Sequence, residues 1–176
     1  MLRGVLECWP RLARQRAEHE LGKQGNGRMM RTFVVVGALL LGIGAVAAQQ
    51  DLVNQAQTVM KGNGKNAGAL SAMVKGDKPY DQAVVDAALA QLDETAKKLP
   101  TMFPASVKGL KPDGDYSASP KIWEDKAGFD AHIATFAKAV TEAKATVKNL
   151  DTLKVALPVI GKSCGGCHET YRLKNG

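Results

Sequence analysis

An all-α fold, specifically an antiparallel up-down-up-down four-helix bundle, is what the sequence predicts, and three observations carry that prediction. Beyond residue 48 the chain is rich in Ala, Lys, Leu and Val, while aromatic residues make up only 5% of the whole. These are helix formers rather than strand formers. Apolar residues recur at steps of three and four through four tracts, with no alternating strand pattern or hairpin turn between them. The connections are mostly short, which favours antiparallel neighbours. At 176 residues there is room for one ordinary domain.

The first 48 residues stand apart from that domain. Arg31 precedes the apolar run Phe33 to Ile43, and the small residues Gly44-Ala45-Val46-Ala47-Ala48 follow. That order is a secretory signal peptide over 29–48, with cleavage expected after Ala47 or Ala48. Phe33 to Ala48 is 16 residues with three glycines, shorter than the roughly 18 to 20 needed to span a bilayer. Export with cleavage is therefore favoured over a retained anchor, and no stable membrane insertion is expected afterwards. Residues 1–28 are polar and Arg-rich, without a helix stripe, and read as a leader or as sequence upstream of the true start at Met29 or Met30. The domain is 49–176.

Its first tract starts at Asp51 as a cap and places Leu52, Val53, Ala56, Val59, Met60, Asn63, Ala67, Leu70 and Val74 at helical spacing. Gly62, Gly64 and Gly68 lower its helix propensity and leave room for something bulky beside the backbone. It stops at Lys75-Gly76-Asp77-Lys78-Pro79. Asp81 caps the second tract, whose face is Val85, Ala88, Leu92 and Leu99, and Pro100 ends it. A long loop over 101–120 follows. In the third tract Phe129, Ile133, Phe136, Val140, Ala143, Val147 and Leu150 form a bundle seam. Asp151 opens the fourth, with Leu153, Leu157, Ile160, Cys164, Cys167 and Tyr171 inward and Pro158 expected to kink or restart it.

Charge argues against nucleic acid as a partner. The net charge is +7, but the first 48 residues hold seven Lys/Arg against three Asp/Glu, and the remainder holds 17 against 14. The lysines of the domain are spread along its helices, as on a solvated surface.

Chemistry concentrates in Cys164-Gly165-Gly166-Cys167-His168. Two thiols at this spacing can add to the two vinyl groups on one porphyrin edge, and the adjacent imidazole then meets the iron from one face. Glycines between them let the backbone run close to a ring. Attachment of haem c through Cys164 and Cys167, with His168 as axial ligand, agrees with an exported chain. Other readings fit less well. A thioredoxin-type pair needs a βαβ pattern, which is absent. A zinc site needs four ligands, and the domain offers only these three and the distant His132. His132 lies beside the seam and reads as a boundary residue.

The second axial position decides the function. Met60, Met73 and Met102 are the thioether candidates. Met60 lies ~13 Å into the first helix and His168 ~12 Å from the end of the last, so antiparallel helices bring them to one level. Met73 is at the wrong end, and Met102 is at the right end but in the loop. Met60 either ligates the iron or packs over the haem as a core residue. A His/Met haem suits electron transfer, whereas a His-only haem leaves a face open to nitric oxide or carbon monoxide. Arg172, four residues after His168, either adds positive charge to the proximal face or is simply solvated. Trp123 either packs near the haem or closes the loop.

Several segments resemble the class II c-type cytochromes, the group containing cytochrome c′ and cytochrome c-556. They are Met60-Lys61 with Asn63-Gly64, Lys75 to Asp81, Leu99 to Pro104, Ile122-Trp123-Glu124, and Cys164 to Arg172, and the resemblance covers 49–176. Gln49 to Val53 and Ser106 to Pro112 are most similar to cytochrome c-556. The resemblance implies a haem-bearing four-helix bundle with His168 and Met60 as axial ligands. It implies a periplasmic electron carrier rather than an enzyme, serving redox partner proteins of that compartment. Five-coordinate binding of nitric oxide or carbon monoxide, as in cytochrome c′, is the alternative. It places Gln57 at the haem edge and makes a homodimer through the first two helices a common assembly. Ala56 departs from the Arg that cytochrome c′ typically has there.

Overall fold

Residues 47–175 are described by the structure, a computed structural model. Apart from its last two residues, the expected leader over 1–28 and 29–48 lies outside the described residues. Four long helices appear in the expected order. Helix α1 occupies 47–75, α2 Gln82–Met102, α4 Lys126–Thr146 and α5 Leu150–Tyr171. A 3-10 turn at Ala105–Val107, strand β1 at Tyr116–Ala118 and the single turn α3 at Lys121–Glu124 fill the connection between α2 and α4. Strand β2, Arg172–Lys174, follows α5 directly. Helix α4 lies against both α2 and α5, completing the four-helix bundle.

Helix ends follow local chemistry. At the end of α1, Gly76 takes φ +83°, its N–H bonds the Met73 carbonyl at 3.1 Å, and the Asp77 N–H reaches back to Ala72 at 2.9 Å. This 6→1 and 5→2 pair satisfies carbonyls that would otherwise be orphaned. Asp81 caps α2 by accepting from the N–H groups of Ala83 and Val84. Asp125 caps α4 through Gly128 N–H, and Asn149 and Thr152 form a reciprocal capping box on α5.

The core runs through Leu70, Leu89, Leu92, Val140, Leu153 and Ile160, all at most 1% exposed. The expected inward residues Val85, Ala88, Leu99, Phe129, Ile133, Phe136 and Ala143 join them. Between α2 and α4, Lys144 bridges to Asp93 at 2.6 Å. That bond first, and the one from Lys97, hold the Asp93 carboxyl below the usual carboxylate range.

Local expectations need correction at several points. Asp51 is not a cap, because the helix is already established at residue 47. Pro100 does not end α2, which continues to Met102 with the proline in its final turn. The seam spacing outruns its helix: α4 stops at Thr146, so Val147 is a buried cap residue and Leu150 begins α5. Leu150 rather than Asp151 opens α5, with Asn149 as its cap, and that helix passes through Pro158 without restarting. The long loop is shorter and more ordered than expected, and strands do occur. β1 and β2 pair antiparallel with Tyr116 opposite Lys174 and Ala118 opposite Arg172. Three-residue strands are too short to give an alternation signal.

Gly76→Ala should cost about 1–2 kcal/mol, since a Cβ disfavours this left-handed position. Chemical denaturation of the haem-loaded protein checks this: a lower midpoint with unchanged slope is expected.

Candidate haem site

Spacings of three and four residues put Cys164, Cys167 and His168 on neighbouring turns of α5. Both thiols are free and half-buried, and both pack against the margin of the core. Burial pushes each thiol above its ordinary pKa, and Cys164 pushes Cys167 up further. A redox-active pair needs the opposite shift, toward the thiolate. The His168 imidazole is held below its usual pKa, first by burial and then by the Arg172 guanidinium. It is therefore neutral at pH 7 and has a nitrogen lone pair to offer a metal. Among the described residues, no three His, Cys, Asp or Glu side chains converge to hold a bare metal ion.

The surrounding residues fit a large flat apolar group held from α5. At this end of the bundle the inward positions Leu52, Val53, Val59, Met60, Leu157, Cys164, Cys167 and His168 are only half-buried. At the far end Leu70, Met73, Leu89 and Leu153 are fully enclosed. A Cβ added at Gly62, Gly64, Gly68 or Gly165 would meet no neighbouring atom within 4 Å, so no protein side chain requires these glycines.

Met60 borders the same core cluster as Cys164 and Cys167. Asn63 Nδ2 donates to Met60 Sδ at 4.0 Å. Asn63 is in turn held by Thr95, which is 1% exposed. Thr95 Oγ1 lies 2.9 Å from Asn63 Oδ1 and 3.0 Å from the Gln91 carbonyl, so two acceptors share its proton. Met102 also packs against this core cluster, at the end of α2 rather than in a loop, and Met73 lies in the core.

Other candidates take more definite places. Gln57 donates to the Asp113 carbonyl at 3.1 Å, tying the loop before β1 to α1. Arg172 lies just past the end of the helix. It begins β2, with its guanidinium 4.2 Å from the Tyr116 ring centroid, because the strand pairing ends α5 at Tyr171. Trp123 closes the loop by donating to the Phe103 carbonyl at 3.1 Å. His132 is a half-buried boundary residue, as expected, and its ring lies edge-on to Tyr171 at 5.5 Å.

Sequence reasoning missed one feature beside the motif. The Tyr171 hydroxyl donates to Asp125 Oδ2 at 2.8 Å. Burial, followed by this bond and the carboxylate charge, pushes the Tyr171 pKa up to about 12. The same bond, with the Gly128 N–H, holds the Asp125 carboxyl below its usual range. An Asp just ahead of an apolar run is a cap signal that would have located Asp125, though not its tyrosine partner.

A half-buried CxxCH turn on the last helix of a four-helix bundle defines a c-type haem protein. The family model for Cytochrome C′ matches residues 51–172. The chain is 61% identical over 149 residues to cytochrome c-556 of Rhodopseudomonas palustris, covering 84% of this chain and 100% of that relative. It is 39% identical over 145 residues to cytochrome c′ of the same organism, covering 82% and 97%. An NMR-validated structural model for oxidized cytochrome c-556, also from that organism, aligns with a TM-score of 0.64 at 62% identity, over 72% of this chain and 99% of that one. This chain belongs to the cytochrome c′ family, and its cofactor is covalently bound haem c.

The raised tyrosine has a definite pH signature. Its folded pKa lies above the unfolded value of about 10, so its stabilisation is complete below pH ~10 and is lost as pH rises through about 12. Ultraviolet difference titration should show a tyrosine ionising near 12 that disappears in Tyr171→Phe.

Proposed function

We propose that this chain is a periplasmic electron carrier in which haem c, held by Cys164 and Cys167, is ligated by His168 and Met60. The observation that carries the reading is the half-buried Met60 side chain, which packs against the hydrophobic core as the two cysteines do and has its sulfur contacted by Asn63. Similarity to cytochrome c-556 over the whole of that relative supports it. Bound haem c supplies a one-electron couple at its iron. The chain's own residues hold and tune it. His168 offers a neutral nitrogen, Met60 a thioether on a rigid helix, and the apolar margin excludes water.

Two axial protein ligands leave no position for substrate, and the carrier has no catalytic chemistry of its own. Export and cleavage of 29–48 would deliver it to the periplasm, where its partners are redox proteins. Among the described residues no helix is long and apolar enough to cross a membrane. Many surface lysines are engaged in local ion pairs, including Lys97 with Asp93 and Lys154 with Asp151, which argues against a nucleic-acid surface.

The second reading is a five-coordinate haem that binds nitric oxide or carbon monoxide. The 39% identity to a cytochrome c′ favours it, with Met60 packing over the haem without a bond. Absorption spectra of both oxidation states separate the two. The carrier should be low-spin with a methionine-to-iron charge-transfer band and should not respond to carbon monoxide. A high-spin, gas-responsive protein would instead establish the second reading. In the carrier, Met60→Ala should abolish the band and open the iron to the gas; an unchanged spectrum would dismiss Met60 as ligand.

A further inference from the structure

We propose that Tyr171 is a positioning residue for His168: its hydroxyl and the Asp125 carboxylate form a clasp that fixes the last turn of the haem-bearing helix. The proposal rests on His168 as axial ligand. Helix α5 is intrinsically weak where it carries the motif, because Pro158, Gly161, Gly165 and Gly166 all fall within it, and these are the least favourable helix residues. After Ile160 only Ser163 and Tyr171 are buried, and Cys164, Cys167 and His168 are half-buried. Among protein contacts, the helix is anchored at Ile160 and Ser163 before the haem-bearing turn and at Tyr171 after it.

Tyr171 is held from several directions by groups outside its own helix. Its hydroxyl bonds Asp125 at 2.8 Å. Its ring meets Phe129 edge-on at 5.1 Å and His132 at 5.5 Å. Its carbonyl accepts from Ser119 N–H at 3.0 Å. Asp125 is itself immobilised as the cap of α4, accepting from Gly128 N–H at 3.0 Å. Gly128 makes the clasp sterically feasible, since a Cβ there would lie 2.6 Å from the Tyr171 hydroxyl and 2.2 Å from Asp125 Oδ2. Tyr171 is three residues after His168 and four after Cys167, so it lies one turn on, along the same side of the helix.

Three variants of the haem-loaded protein test the clasp. Tyr171→Phe removes the bond and keeps the ring. Gly128→Ala pushes the hydroxyl away without altering α5. Asp125→Asn removes the charge while keeping an acceptor for the tyrosine and a good helix cap. Amide hydrogen exchange over 164–171, read by mass spectrometry, should be roughly tenfold faster in the first two, as expected for one lost hydrogen bond. Both should also shift the g-values of the ferric electron paramagnetic resonance spectrum, which report axial-ligand geometry. Asp125→Asn should match the parent in both measurements. Unchanged g-values in Tyr171→Phe would overturn the proposal, even if exchange accelerates. An equal shift in Asp125→Asn would also overturn it, by assigning the effect to charge. A His168→Ala protein that keeps the parent ferric spectrum would instead retire the axial-ligand reading itself.

Discussion

Two thiols and an imidazole share neighbouring turns of one helix, and much of the molecule is organised around that constraint. A large apolar cofactor held from the end of α5 needs a face left incompletely covered by side chains. The bundle is accordingly asymmetric. It closes fully around Leu70, Leu89 and Leu153, while Met60, Cys164, Cys167 and His168 are only half-buried beside the buried Ala56, Ile160 and Ser163.

Glycine-rich helical sequence beside a cofactor needs support from outside, and the connection between α2 and α4 supplies it. Its turns and strand bring Gln57 to the Asp113 carbonyl, Trp123 to the Phe103 carbonyl, and Ser119 to the last residue of α5. The strand pair then closes over the C-terminus, where Asn175 N–H bonds the Asp115 carbonyl at 2.7 Å. What reads in sequence as a loop acts as a brace across the haem end of the bundle. Electrostatics agree with this arrangement. Burial keeps both thiols protonated and His168 neutral, states compatible with porphyrin attachment and iron ligation.

The bundle was legible because core packing obeys helical periodicity. The Phe129 to Ala143 seam and the Val85 to Leu99 face are buried as their spacing required. The motif was legible because its chemistry demands fixed spacing. Helix limits were less so. The apolar period persists past the end of α4 at Val147, because that side chain is still buried in the core after the backbone has turned. Contacts between residues distant in sequence left no local trace. Tyr171 and Asp125 are 46 residues apart and Thr95 and Asn63 are 32 apart, and neither pair has a pattern to betray it. A buried Thr within the Leu92 to Leu99 stripe is the one hint that a polar contact was required.

Covalent attachment at the α5 motif is the claim on which every other assignment stands, and peptide mapping tests it most directly. Digestion of the exported protein after Lys and Arg releases the segment Ser163 to Arg172. The account predicts that this peptide carries the whole of the haem absorbance and mass and contains no thiol open to alkylation. A colourless peptide with Cys164 and Cys167 both alkylated would contradict it.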